Sequence, residues 1–102
     1  MFEKAKQIYD LQKKAKAIQK DLRDTEIEAA SNDGFVTVVF NGEQHLVDIS
    51  VSEDALKPDN QKTLENDLKN AISQAIARSQ ALAAEKTKEM MGDMNLNIPG
   101  MS

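Results

Sequence analysis

The sequence predicts an α+β fold in the order α-β-β-β-α, with a three-stranded antiparallel sheet between two long helices. Three patterns in the 102 residues indicate this fold. Residues 8–22 and 64–83 repeat apolar side chains at helical spacing, whereas residues 34–51 alternate apolar and polar side chains on both sides of an Asn-Gly pair. A chain of this length forms one domain with a single modest core.

The first helix is predicted to run from Glu3 to Arg23 or Asp24. Its apolar side chains follow a 3-4-3-4 spacing, which is typical of a helix that packs lengthwise against another helix. At 100° per residue they span an arc of about 80°. We call this set the apolar seam, and it consists of Ile8, Leu11, Ala15, Ile18 and Leu22.

Cations form a second stripe on nearly the opposite side of this helix. Residues 1–25 carry a net charge of +3, whereas the other 77 residues carry −7. A stripe of this kind is most often a solvated outer face, and that interpretation stays open beside a role in binding. We call it the basic stripe, and it consists of Lys6, Lys13, Lys16, Lys20 and Arg23.

The three strands follow the first helix. A short strand is predicted within residues 25–31, where Ile27 and Ala29 alternate with glutamates. Ser-Asn-Asp-Gly at residues 31–34 supplies the turn after it. The next two strands are predicted to form a hairpin, because Asn-Gly favours a two-residue turn. With that turn at Asn41-Gly42, Val38 would lie opposite His45.

The two faces of this hairpin differ. The core face is predicted to hold Val36, Val38, Phe40, Val47, Ile49 and Val51. The other face is mixed and has a small apolar patch at Phe35, Val39 and Leu46. Three apolar side chains this close together indicate a partner surface. We therefore expect a homodimer whose interface includes this patch, or alternatively the apolar seam of a long helix.

The second helix is predicted from about Asn60 to Met91, after a turn or a single helical turn that Pro58 ends. Such a helix spans about 48 Å, whereas an eight-residue strand covers about 26 Å, so the helix must extend beyond the sheet. Residues 1–91 are predicted as one domain and residues 92–102 as a flexible C-terminal tail. The buried stripe of the helix is predicted to comprise Leu64, Leu68, Ala71, Ile72, Ala75, Ile76, Ser79, Leu82 and Ala83.

Catalytic and metal-binding patterns are absent from the sequence. There is no cysteine and His45 is the single histidine, so neither a thiolate site nor a histidine-based metal site is predicted. No serine has the sequence context of an activated nucleophile. We expect no enzymatic activity, no cofactor and no small-molecule substrate. No run of residues is apolar enough for a membrane span or a signal peptide, which predicts a cytoplasmic protein without a membrane partner.

The central and C-terminal segments resemble the YbaB/EbfC family of bacterial nucleoid-associated proteins. The residues that carry the resemblance are "GFVTVVFNG" at 34–42, "LVDISVSEDAL" at 46–56 and "LENDLKNAISQAIARSQALAAEKTKEMMGDM" at 64–94. Two features depart from the family pattern: a Gly-rich N-terminus is missing, and Gln44 stands where a second glycine is common. The resemblance implies a tweezer-shaped homodimer in the nucleoid that binds double-stranded DNA with little sequence preference.

The cations provide a physical route to DNA despite the net charge of −4. Lysines on one helix face can neutralise phosphates, and a two-fold axis doubles the set. We identify no interleaved aromatic residues for base stacking, so contacts are expected mainly with the phosphate backbone. The alternative is a dimeric adaptor whose helix tips grip another protein. The predicted DNA-binding residues are the basic stripe, Lys6, Lys13, Lys16, Lys20 and Arg23, together with Arg78, Lys86 and Lys88.

Overall fold

The structure, a computed structural model, describes residues 2–93 and the side chains of residues 4–92. It confirms the predicted α-β-β-β-α order and the α+β class. Two short 3-10 helices, Glu53–Leu56 and Pro58–Asn60, precede the last helix. The main elements are α1 (Phe2–Asp24), β1 (Glu26–Ala30), β2 (Val36–Asn41), β3 (Leu46–Val51) and α2 (Gln61–Asp93). The predicted tail lies outside the described residues from residue 94 onward, while Gly92 and Asp93 belong to α2.

The sheet is antiparallel, with β2 between β1 and β3. The pairing of β2 with β3 differs from the one expected for a two-residue turn, because Val38 lies opposite Ile49 and not opposite His45. The register also shifts between Val39, which pairs with Asp48, and Phe40, which pairs with Leu46. Val47 is therefore the extra residue of a β-bulge.

A three-residue loop, Gly42 to Gln44, replaces the predicted two-residue turn. Asn41 ends β2, where its backbone N–H donates to His45 O at 2.9 Å. Its side-chain Oδ1 accepts from the backbone N–H groups of Glu43 at 2.9 Å and His45 at 3.1 Å. Gln44 has φ +67°, the left-handed conformation that glycine adopts most easily in hairpin loops of this length.

Gly42 allows a close contact between the hairpin and α1, and it is not the second residue of the predicted two-residue turn. A Cβ atom at this position would lie 2.7 Å from the carbonyl oxygen of Leu22 and 2.9 Å from its Cα. The backbone N–H of Gly42 donates to Leu22 O at 2.7 Å. The last turn of α1 therefore rests directly on the hairpin backbone. This tertiary contact overrides the local preference of Asn-Gly for a tight turn.

The core lies between α2 and the first two strands. Val36 and Val38 are completely buried, as the predicted core face requires. The small side chains on the predicted stripe of α2 let the helix approach the sheet closely, and Ser79 Oγ donates to Asn41 O at 2.8 Å. The buried members of the core cluster are Ala29, Val36, Val38, Phe40, Ala71 and Ala75.

β3 is an edge strand that α2 leaves largely uncovered. Of the residues assigned to the core face, Val51 is half-buried, but Val47 is 50% exposed and Ile49 is 40% exposed. That part of the prediction is wrong for a single subunit, because α2 packs on β1 and β2. An exposed apolar edge strand is a site where another chain can add to a sheet.

The chain is elongated, since its principal extents are 68 × 26 × 14 Å and its radius of gyration is 19.0 Å. A compact chain of this length would have a radius near 13 Å. We call the sheet with its connecting loops and residues 52–79 the base. We call α1 and residues 80–93 of α2 the arms. The lengthwise packing predicted for the apolar seam is only partial, since Leu22 is buried and Leu11 and Ile18 are half-buried, whereas Ile8 and Ala15 are exposed.

Candidate nucleic-acid interface

The arm formed by α1 is attached to the base through its last turn. Thr25 Oγ1 donates to Asp21 O at 2.6 Å, next to the contact between Leu22 and Gly42. Arg23 Nε donates to Glu43 Oε1 at 2.9 Å and forms an ion pair with it. These contacts set the direction in which α1 leaves the sheet.

The two arms run antiparallel beside each other. Lys86 Nζ of α2 lies 3.3 Å from Asp21 Oδ2 near the base. The hydrogen bond to Asp21, and then its negative charge, raises the pKa of Lys86. One turn farther along α2, Met90 shares shallow surface hollows with Ile18 and Lys14 of α1. The part of α1 nearest its N-terminus extends beyond these contacts.

The basic stripe lies along the exposed side of α1. Lys6, Lys13, Lys16 and Lys20 are all exposed, and no ion pair among residues 4–92 involves any of them. From Lys6 to Lys20 the helix rises about 21 Å, and Lys13 lies halfway. Among the described side chains, these four lysines present a row of positive charge without an ion-pair partner.

The other predicted cations differ in their surroundings. Arg23 is held by Glu43, and Lys86 is held by Asp21. Arg78 Nη1 donates to the backbone oxygen of Glu28 at 2.8 Å, so it braces α2 against β1 in the base. Lys88 is exposed on the arm of α2. The structure thus brings Lys86 and Lys88 to the same pair of arms as the basic stripe but leaves Arg78 at the base.

Tyr9 is not among the predicted site residues, although it lies within the basic stripe. It is 64% exposed. It lines one surface hollow together with Gln12, Lys13 and Lys16. Helix geometry alone places Tyr9 at the middle of the arc covered by the basic stripe, so the sequence contained the signal. An aromatic residue is therefore interleaved with the cations of α1, and the expectation that none is interleaved there was wrong.

The base contains a carboxyl pair where the loop after β1 meets α2. Asp33 Oδ1 accepts from Ser31 Oγ at 2.8 Å and from the backbone N–H of Phe35 at 3.0 Å. Hydrogen bonding between the two carboxyls raises the pKa of Asp67, with a further contribution from burial, and lowers that of Asp33. Asp67 Oδ2 is buried, and among the described residues no group other than the Asp33 carboxyl offers it a partner. The contact between the two carboxyls therefore favours the protonated form of Asp67.

The predicted dimer patch divides into two parts. Phe35 and Val39 are half-buried, and Phe35 packs against the core cluster. Leu46 is 53% exposed on β3, near the exposed Val47 and Ile49. The available apolar surface of a single subunit is therefore centred on β3.

Among the side chains of residues 4–92, no three acidic or histidine groups gather where they could hold a metal ion. Neither α1 nor α2 combines the length and apolarity needed to cross a membrane.

The chain is similar to known proteins over almost its whole length. The sequence model of the YbaB/EbfC DNA-binding family matches residues 1–94. A nucleoid-associated protein of Thermoanaerobacter pseudethanolicus is 32% identical over 96 residues, which cover 94% of this chain and 85% of the relative. A nucleoid-associated protein of Prochlorococcus marinus strain MIT 9312 is 36% identical over 99 residues, covering 97% and 82% of the two chains.

A solved structure shares the fold. The crystal structure of an uncharacterized protein from Helicobacter pylori superimposes with a TM-score of 0.69 and covers 86% of this chain and 88% of its own. Its sequence identity is 22%, so it supports the fold alone. The fold, the family match over almost the whole chain and the nucleoid-associated relatives agree, and the chain belongs to the YbaB/EbfC DNA-binding family.

Proposed function

We propose that this protein binds double-stranded DNA in the nucleoid as a homodimer, mainly through backbone phosphates and with little sequence specificity. The family is a DNA-binding family, and its curated relatives are named nucleoid-associated proteins. The observation that carries the proposal is the row of four exposed lysines on α1, for which no ion pair is found among residues 4–92. Free cations at helical spacing bind DNA by releasing counterions from phosphates.

Low specificity follows from the chemistry of the row. Lysine is a flexible point charge that positions a protein on phosphates and carries no sequence information in that role. The arms also hold Lys88 and Lys86, although Asp21 competes with DNA for Lys86. Arg78 stays bound to Glu28 O in the base and contributes a fixed charge at a distance.

The homodimer completes this proposal, because two subunits double the number of lysines that face one duplex. We propose that the interface includes Phe35, Val39 and Leu46 and extends along β3 to Val47 and Ile49. Pairing of the exposed strand would bury these apolar side chains and satisfy the open backbone groups of the edge. Light scattering should give the mass of two chains at micromolar concentration, whereas the mass of one chain would contradict the dimer.

The basic stripe can be tested by mobility shift with unrelated duplexes at two salt concentrations. Replacing Lys13, Lys16 and Lys20 with Gln should weaken binding to all duplexes alike, because backbone contacts are lost. The slope of log affinity against log salt should flatten by about 0.9 for each phosphate contact removed. Gln is nearly as good a helix former as Lys, so α1 should persist.

A matched control removes the same charge from the base. Its three lysines lie near the start of α2, and two of them form exposed ion pairs that contribute little to stability. They are Lys57, Lys62 and Lys69, each replaced with Gln. This control should keep the affinity and the salt slope nearly unchanged. Equal losses in both triple variants would show that total charge acts and that the stripe has no special role.

The adaptor alternative has one observation in its favour. Ile8, on the part of α1 that extends past α2, is 58% exposed and offers an apolar contact for a protein. If the unmodified protein shifts no duplex at low salt, the DNA proposal fails and the adaptor becomes the better explanation. Loss of a protein contact in an Ile8→Asp variant would then identify the tip of the arm as the gripping surface.

A further inference from the structure

Tyr9 has surroundings that differ from those of an ordinary surface tyrosine. It is the single tyrosine of the chain and it projects from the arm with 64% of its surface exposed. With 100° between residues, it lies at the centre of the arc that the basic stripe covers. Lys13 follows it by one turn and Lys16 by two turns, so both lysines lie on the same face of the helix, on the C-terminal side of the ring.

The hollow beside Tyr9 is polar and positively charged. It has a volume of about 140 Å³ and is lined by Tyr9, Gln12, Lys13 and Lys16. These four side chains offer a phenolic O–H, an amide NH₂ and two ammonium groups as donors. No carboxylate lines it. A hollow lined by two cations, two uncharged donors and no carboxylate is complementary to an oxygen-rich anion.

We propose that this hollow is a seat for one backbone phosphate of DNA, in which Tyr9 and Gln12 donate hydrogen bonds while Lys13 and Lys16 neutralise the charge. This inference rests on the proposed DNA binding and adds two uncharged contact residues to it. Tyrosine and glutamine side chains are common phosphate donors in protein–DNA complexes. The phenol and the amide add directional hydrogen bonds to the charge that the flexible lysines supply.

The first test is the Tyr9→Phe variant, which removes one hydroxyl group and keeps the ring. Binding to a duplex should weaken by about fivefold for each subunit in contact, the effect of one hydrogen bond. Because no charge is lost, the slope of log affinity against log salt should stay the same. Unchanged affinity in Tyr9→Phe would overturn the role of the hydroxyl. A flattened slope would show that the variant disturbs the lysines instead.

Two glutamines of α1 give a matched pair for the second test. Gln12 lines the hollow, whereas Gln7 is exposed on another side of the helix. Gln12→Ala should weaken binding by about threefold or more, and Gln7→Ala should leave it unchanged. Equal effects of the two substitutions would remove Gln12 from the site.

The third test observes Tyr9 directly in the intact protein. A chain labelled with 3-fluorotyrosine gives a single ¹⁹F resonance, because it contains one tyrosine. Addition of a short duplex should shift this resonance, and Lys13→Gln should reduce the shift at a fixed DNA concentration. If the duplex binds and the resonance does not move, the phosphate seat is wrong while the proposed function stands.

Binding measurements and light scattering separate two further outcomes. If neither the unmodified protein nor any variant binds duplex DNA, the proposed function fails and the phosphate seat fails with it. If Tyr9→Phe changes the mass measured by light scattering, Tyr9 belongs to a contact between subunits, which overturns its role in the phosphate seat.

Discussion

The base and the arms of this protein are built on different principles. In the base, α2 buries Val36 and Val38 completely and meets the sheet through Ala71, Ala75 and Ser79. In the arms, most side chains are exposed, including the apolar Ile8 and the lysines of the basic stripe. Burial holds the base together, whereas helical hydrogen bonds and a few contacts maintain the arms. The packed core and the basic stripe therefore lie in separate parts of one small domain.

The largest effect is expected from the same substitution made in both regions. Val38→Asp places a carboxylate without a partner in the core and should cost several kcal/mol of unfolding free energy, about 3 or more. Ile8→Asp in the arm should cost less than about 1 kcal/mol, because Ile8 is already in contact with water. Chemical denaturation of both variants measures the contrast. A comparable loss of stability in Ile8→Asp would contradict this contrast and would assign the apolar seam to a subunit interface.

A smaller contrast comes from enlarging an alanine on each helix. Ala75 is completely buried against the sheet, so Ala75→Leu should overpack the core and cost about 1–3 kcal/mol. Ala17 is exposed on α1, and Ala17→Leu should change stability by no more than about 0.5 kcal/mol. Thermal unfolding monitored by circular dichroism compares the two. Equal destabilisation would mean that the surface of α1 is packed in the assembled protein.

At the junction between base and arm, we expect one substitution to increase the stability of the folded protein. Gln44 has φ +67°, so Gln44→Gly removes the strain of a side chain in the left-handed region. The greater freedom of glycine in the unfolded chain offsets part of that gain, which leaves up to about 1 kcal/mol. His45→Gly, one residue later, is the control and should destabilise. Urea unfolding would refute the loop geometry if both glycines acted alike.

The subtlest effect is a dependence on pH inside the base. The raised pKa of Asp67 means that the folded state holds this proton more tightly than the unfolded chain does. Its contribution to stability is present below the ordinary aspartate pKa and is lost as pH rises through the folded pKa. Asp67→Asn abolishes this titration, so the variant should gain stability relative to the parent between about pH 4 and pH 7. Melting temperatures at both pH values should show the gain.

The exposed Asp59 provides the control for that experiment. Asp59→Asn removes the same charge without touching the carboxyl pair. Its stability relative to the parent should change little between the two pH values. If Asp59→Asn and Asp67→Asn show the same pH dependence, the effect reflects net charge and not the contact between Asp33 and Asp67.

Local patterns were sufficient to predict most of the fold. The spacing of Val36, Val38 and Phe40 identified the core face, and the small residues of α2 identified where the helix meets the sheet. The hairpin register required more, because the use of Gly42 depends on Leu22, which is twenty residues away in the chain. The preference of Asn-Gly for a two-residue turn depends on neighbouring residues alone, so it does not account for the contact between Gly42 and Leu22.

The sequence predicted which cations share a face of α1, but it did not predict which cations are held by other residues. Helical spacing is enough to align Lys6, Lys13, Lys16 and Lys20 on one side of α1. The engagement of Arg78 by Glu28 O and of Lys86 by Asp21 depends on how α2 crosses β1 and α1. Local charge patterns do not contain that packing.

The attachment of α1 at Gly42 makes this helix a lever. The arm is about 35 Å long and its pivot lies at one end, so a tilt of about 10° displaces its tip by about 6 Å. A displacement of that size would separate Lys6 from a phosphate while Lys20, close to the pivot, barely moves. The packing around Leu22 therefore sets the positions of lysines several helical turns away. A methyl group added at Gly42 would tilt α1 and shift these lysines, although no cation would be replaced.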